Sequence, residues 1–272
     1  MVRSANPGRR SQLWNARGRP ENHLTRRRLD IELVRRRLVE SRSAAQSAIA
    51  DGRVRLKGTP ATKPATLVEP GDPIELVGDG PRFVSRAGAK LDAAIDAFDI
   101  PIAGRNAIDV GASTGGFTDC LLERGASSVL ALDVGYGQLD WALRTDDRVT
   151  VMDRTNVRHV DPPSLGAPFG LIVVDLSFIS LSKVLEVLSL LGDEDSDWVM
   201  LVKPQFEVGA DRIASGGLVR DQEARSEAIS RVVADASDVG LQCAGGIDSP
   251  VPGAKSGNVE HLLWFKKGSA KV

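Results

Sequence analysis

At 272 residues the chain has room for one large domain and a small one, and its 42% hydrophobic content with a net charge of -1 is that of an ordinary soluble protein. The longest apolar runs, at 171–174 and 199–202, are far too short to span a membrane, and the arginine-rich start lacks the apolar stretch of a secretory signal. Cys120 and Cys243 lie in apolar segments without metal-ligand spacing and three separated histidines give no zinc or triad signature, so two buried thiols, no metal and a cytoplasmic location are expected.

Residues 1–25 are rich in Arg, Asn, Gly and Pro without an apolar period, and are expected to be a disordered N-terminal extension. From Leu29 the pattern changes: Leu29, Leu33, Val34 and Leu38 recur at helical spacing, with Asp30 in the first turn. Ser41 is positioned to cap a second helix whose apolar face is Ala44, Ala45, Ala48 and Ile49 and which Gly52 stops. The stretch "RVRLKGTPATKPATLVEPGDPIELV" alternates and is broken by turn residues, which predicts short strands. Residues 26–80 thus read as a small α+β domain, and Pro81, Arg82, Phe83 and Val84 as a linker.

Charge divides the same way. Residues 1–80 carry 16 Lys+Arg against 9 Asp+Glu, a surplus of seven; residues 81–272 carry 19 against 27, a deficit of eight. A basic unit joined to an acidic one points to a polyanion as partner of the first, although a solvated helix face explains the charge alone equally well. The candidate phosphate contacts are Arg28, Arg42, Lys57 and Lys63, with Arg35 and Arg36 behind them.

Residues 85–272 alternate strands and helices. Strands are expected at 107–110, 129–134, 149–153, 171–176, 198–202, 242–247 and 259–265, and helices at 90–98, 116–124, 138–143, 181–191 and 222–239, the last capped by Asp221 and stopped by Gly240. This predicts a doubly wound, Rossmann-like, mostly parallel sheet whose ligands sit outside the carboxyl ends of the strands. No helix separates the final two strands, so the last should return antiparallel and bring Asn258 and Glu260 to that same edge.

After the first strand comes "DVGASTGGF", with Asp109, Gly111, Ser113, Gly115 and Gly116. It is neither a phosphate-binding loop with its lysine nor a Gly-x-Gly-x-x-Gly turn. Asp133, about twenty residues on, ends the next strand, where a carboxylate can accept both ribose hydroxyls. Asp153 ends the third and is expected to receive an adenine amine, with Arg154 bracing it. An acid in place of a lysine suits a ligand with a positively charged tail; adenosine, ribose and a cation together describe S-adenosyl-L-methionine. A glycine turn serving only helix–strand packing is the alternative for the loop by itself. Asp175, Lys203 and Glu260 end or begin strands at the same rim, and Lys90 on the preceding helix can join them. Singly, each is the ordinary point where a buried strand meets water; together they put two amines and two acids beside a methyl donor.

The ordered motifs "SRAGAKL", "DVGASTGGFTDCLL", "DVGYGQL", "DRTN", "DLSFISL", "VKPQFEVG" and "GNVEHLLWF" resemble the TlyA family, and "RRRLDIELVRRRLVESRSAAQSAIADGRVRLKG" resembles its S4-type RNA-binding domain. The resemblance spans roughly residues 26–267. It implies a class I methyltransferase domain, FtsJ-like, that carries a methyl group from S-adenosyl-L-methionine to the ribose 2′-hydroxyl of cytidine in ribosomal RNA of one or both subunits, and a link to capreomycin and viomycin susceptibility. It also implies a Lys-Asp-Lys-Glu tetrad on Lys90, Asp175, Lys203 and Glu260, the same four residues; at that rim Lys203 is expected to be the base, with Asp175 between it and the cofactor. An ordinary lysine, with a pKa near ~10.4, is no base at neutral pH; partial desolvation and a second ammonium nearby lower such a value. Partners are therefore expected to be ribosomal RNA and ribosomal subunits, with no membrane and a monomeric enzyme. The linker departs from the mycobacterial Arg-Ala-Trp-Val but keeps an aromatic, Phe83, which should still pack. The rivals are a non-catalytic RNA-binding assembly factor, a membrane-active haemolysin (a name also used in the family) and a small-molecule methyltransferase, which leaves the basic domain without a role.

Overall fold

The structure is a computed structural model and describes residues 26–39, 41–78, 82–253 and 257–268. The expectation of disorder for residues 1–25 lies outside the described residues, as does Pro81 of the linker. The chain divides into two compact units at Gly80–Pro81.

The first unit packs two helices on short antiparallel strands. Helix α1 (Leu29–Arg35) follows strand β1 (Arg27–Arg28), and α2 (Arg42–Ala50) opens on Ser41, whose hydroxyl accepts the Ala44 amide at 3.1 Å. Strands β2 (Val54–Leu56), β3 (Thr59–Pro60) and β5 (Ile74–Leu76) form one small sheet, in the order β3-β2-β5, and β4 (Leu67–Val68) pairs with β1. Leu29, Leu33, Ala45, Ala48, Ile49, Val54 and Val68 make the core. That is the small α+β architecture the apolar spacing predicts.

In the second unit seven strands form one sheet in the order β11-β12-β10-β9-β6-β7-β8. These are β6 (Asn106–Val110), β7 (Ser128–Leu132), β8 (Val149–Met152), β9 (Leu171–Val174), β10 (Asp197–Val202), β11 (Leu241–Asp248) and β12 (His261–Lys267). Strands β8, β7, β6, β9 and β10 are parallel, and β12 runs antiparallel between β10 and β11, as expected. Every residue of β9 and β10 is buried, because helices cover both faces. Strand alternation sends Ala107, Val173 and Leu201 toward α3 (Arg86–Phe98) and α4 (Gly116–Glu123), and Ile108, Ile172 and Met200 toward α6 (Leu185–Ser189) and α8 (Gln222–Asp238). Asp221 caps α8 through the Glu223 amide, and Phe83 is buried in the α3–α4 core.

Three expectations are corrected. The helix expected over 181–191 breaks into a single 3-10 turn, Leu181–Lys183, and α6, with Val184 between them at φ -127°. The helix expected over 138–143 shrinks to α5 (Trp141–Arg144). Cys120 is buried but Cys243 is exposed, because β11 lies at the sheet's edge.

Candidate active site

The sheet reverses its winding between β6 and β9: the chain proceeds outward through β7 and β8 on one side and through β10 on the other. Such a switch leaves a crevice at the strands' carboxyl ends. Gly111, Asp133, Asp175 and Lys203 are each the first residue beyond β6, β7, β9 and β10. Glu260 immediately precedes β12, whose first residue pairs with Val202, so the antiparallel strand delivers it beside Lys203.

Two cavities open there. One, of about 570 Å³, has a volume suited to a nucleoside-sized ligand. Gly111, Ser113, Asp133 and Asp175 line it, together with Gln138, Thr155 and Asn156 and an apolar wall that includes Leu132, Val157 and Ile179. Asp133 braces the loop: its carboxylate accepts the Ser113 amide at 2.8 Å and the Gly135 amide at 2.6 Å. Gly111 has φ +91°, and a Cβ there would stand 2.5 Å from the Asp175 carbonyl oxygen, so glycine is required for loop and strand to meet.

Several expected cofactor residues lie off this wall. Gly115 and Gly116 clear space for Leu139 and Leu143 and for the start of α3, respectively, which is the packing role of a glycine turn. Asp153 accepts the Gly137 amide at 3.2 Å and pairs with Arg144, while Arg154 stacks on Tyr136 at 4.2 Å. Thr155 and Asn156, just beyond Asp153, line the cavity. Asp109 is fully buried beneath the loop. One carboxylate oxygen accepts the Thr118 amide and hydroxyl, at 2.9 and 2.7 Å, and the other has no partner. Burial pushes this carboxyl up to about 7, the Thr118 bonds opposing and the nearby Asp175 charge reinforcing the shift.

The second cavity, about 440 Å³, is lined by Lys90, Asp175, Lys203 and Glu260, so the structure brings all four expected residues together. Buried Lys90, on α3, donates through Nζ to Glu260 at 2.5 Å. Lys203 Nζ lies 2.5 Å from Asp175 Oδ1, off the direction of a hydrogen bond, and donates to Ser177 Oγ at 3.0 Å. Asp175, Ser177 and Phe178 belong to both cavities and form the wall between them. Sequence reasoning missed Ser177, Phe178, Gly216 and Gly217; the signal for the first two was their position directly after a strand-end acid.

The six basic residues expected to meet phosphate are mostly tied to acids. Arg28 and Arg42 both pair with buried Asp30 at 2.9 Å, and Arg35 and Arg36 with buried Glu32 at 2.6 and 2.8 Å. The Arg28 bond, seconded by those of Arg42 and Gln46, holds the Asp30 carboxyl well below its usual range, and Arg35 with Arg36 brings Glu32 down to about 2. Arg36 also donates to the carbonyls of Pro70 and Asp72, which makes it a structural clamp. Lys57 pairs with Asp72 at 2.8 Å; Lys63 is exposed and has no ion-pair partner among the described residues.

Comparison with known proteins agrees with this geometry. The FtsJ-like methyltransferase family matches residues 83–267 and the S4 domain family residues 27–74. A "16S/23S rRNA (cytidine-2'-O)-methyltransferase TlyA" from Mycobacterium tuberculosis is 49% identical over 242 residues, covering 89% of this chain and 90% of its own. "Hemolysin A" of Brachyspira hyodysenteriae is 38% identical, covering 88% of this chain and 99% of its own. A solved structure from Streptococcus thermophilus, also carrying a hemolysin name, superposes with a TM-score of 0.72 at 36% identity and covers 90% of both chains. The fold and its domains are those of a class I methyltransferase with an S4 domain at its N-terminal side. Within that class the chain belongs to the TlyA family of FtsJ-like methyltransferases.

Proposed function

We propose that the protein methylates the ribose 2′-hydroxyl of cytidine in ribosomal RNA with S-adenosyl-L-methionine as donor. When bound, that molecule supplies a methyl group on a sulfonium, ready for displacement by an oxygen nucleophile. The residues present fit it. Asp133 offers a carboxylate to ribose hydroxyls, and Leu132, Val157 and Ile179 offer an apolar slot to a purine. Buried Asp109, with one oxygen unpartnered and its carboxyl raised to about 7, is an acid beneath the loop whose ionised form a bound cation favours.

The observation that carries the reading is the shared wall: Asp175 lines both cavities while pairing with Lys203. In this reading Lys203 Nζ first gives up a proton to water and, as the neutral amine, takes the proton of the entering hydroxyl, and Asp175 steadies the ammonium that results. Ser177 orients the amine through its 3.0 Å contact. The Lys90–Glu260 pair fixes the opposite side of the cleft, so that the acceptor oxygen is aimed at the partition and water is displaced. Positioning of two reactants supplies roughly 7–11 kcal/mol in well-oriented systems. The basic first unit, which matches the S4 family, holds the RNA. The haemolytic reading has no support in the helices: none among the described residues is long and apolar enough to cross a membrane.

The test is Lys203→Ala, measured by mass spectrometry of ribosomal RNA incubated with the variant. Loss of a general base costs roughly 10²–10⁴-fold, so methylation should fall by that factor while calorimetry still detects S-adenosyl-L-methionine binding. Near-normal turnover removes Lys203 from the role.

A further inference from the structure

Glu207 belongs to neither cavity, yet it joins the two segments on which the proposed chemistry depends. It is the last residue of α7 (Pro204–Glu207), the single helical turn that begins directly after Lys203. The residue is 7% exposed. One oxygen accepts the Ser180 hydroxyl at 2.6 Å and the other accepts the Leu181 amide at 2.9 Å. Both partners close the loop that starts at Asp175, the loop that also carries Ser177 and Phe178. One side chain therefore latches the Asp175 loop to the Lys203 turn.

The loop needs such a latch. Phe178 has φ +66°, a left-handed conformation that a bulky residue adopts only when its surroundings impose it. Its ring lies 5.3 Å from that of Phe206, so the two segments also touch at the rim. Backbone pairing holds only the start of the loop, where the Asp175 amide donates to the Val110 carbonyl at 3.0 Å just past the end of β9. A carboxylate without an ion-pair partner among the described residues is an expensive choice for a buried position, and burial raises its pKa accordingly. Its value lies in accepting two donors at a fixed separation, which sets one segment against the other.

We infer that Glu207 is a positioning residue for methyl transfer, holding the Asp175 loop in register with Lys203 so that the 2.5 Å Lys203–Asp175 pair faces the acceptor cleft. This rests on the role proposed above for Lys203. An error of about 1 Å in such a site costs on the order of 10²-fold in rate.

Three variants of the full-length protein test it against ribosomal subunits and S-adenosyl-L-methionine: E207A, E207Q and S180A. In E207A kcat should fall about 10²-fold while the KM for the ribosomal subunit stays within about twofold, since no RNA contact is removed. E207Q keeps an acceptor for Leu181 and can donate to Ser180, so it should recover kcat to within several-fold of the parent. S180A removes one latch bond only, should fall between the two, and carries the test if E207A fails to fold. The diagnostic step is the double variant with K203A. If Glu207 acts through Lys203 and Asp175, E207A should add little to the loss already caused by K203A. Fully additive losses, or near-normal turnover in a folded E207A, overturn the inference. Near-normal turnover in K203A alone overturns instead the role given to Lys203.

Discussion

At the scale of single residues the most informative group is Asp109, because its cost and its use have one cause. Strand alternation turns it into the core beneath the loop, where only Thr118 answers it and one oxygen is left without a partner. Folding raises its carboxyl from an ordinary 3.8 to about 7. Between those values the native protein binds a proton that the unfolded chain has released, so this group's contribution to stability falls as pH rises from about 4 to about 7 and is level above. Full development of such a shift is worth on the order of a few kcal/mol. Asp109→Asn is therefore expected to flatten the decline in the urea midpoint over that window, leaving the smaller declines from buried Glu207 and half-buried Asp119, whose carboxyls desolvation also raises. A midpoint that declines as steeply in the variant as in the parent would contradict this. Asp109 also marks the limit of reading a motif by its letters. The sequence locates the acid at the start of the loop but cannot say that it points inward, whereas Asp133, one step beyond its own strand, points outward as expected.

Among elements, legibility follows how local the deciding interaction is. Ser41, Asp221 and the strand alternation act within a few residues, and the predicted elements there match the structure. The order of strands is also legible, because βαβ units wind one way and a pair without a helix must return. What escapes is set by distant partners. The apolar spacing of 181–191 is continuous, but the helix breaks at Val184 (φ -127°), and nothing local shows that Glu207, 26 positions on, caps its first turn by accepting the Leu181 amide. Asn258 is a second case. Its side-chain oxygen accepts the Val219 amide and its nitrogen donates to the Gly217 carbonyl, both at 2.8 Å, so it pins the segment whose Gly216 and Gly217 line the acceptor cleft. Nothing around Gly217 in sequence announces this. Asn258→Ala leaves the buried Val219 amide and the half-buried Gly217 carbonyl without this partner, which costs about 1–3 kcal/mol. The urea midpoint should drop to match, and limited trypsin digestion should open first at Arg212 or Arg220. An unchanged midpoint would show that other contacts hold the segment.

For the whole molecule, the division of charge is legible from the sequence, but its disposition is not. A surplus of seven positives in residues 1–80 identifies a basic unit. The structure adds that buried Asp30 holds two arginines and buried Glu32 three, and so they fix where five guanidinium groups stand. Those arginines are consequently poor probes of RNA contact: removing Arg28 also deprives Asp30 of its strongest partner and destabilises the fold. Lys63 is a clean probe, being exposed and without an ion-pair partner among the described residues. If it meets a phosphate, Lys63→Gln should weaken binding to ribosomal subunits, more at low salt than at high. Removing one lysine–phosphate pairing takes roughly one unit from the slope of log K against log salt. Thermal unfolding should not move, whereas Arg28→Gln should lower both binding and unfolding temperature. An unaltered salt slope in Lys63→Gln would take Lys63 out of the RNA interface and leave the acid-held arginines as its basis.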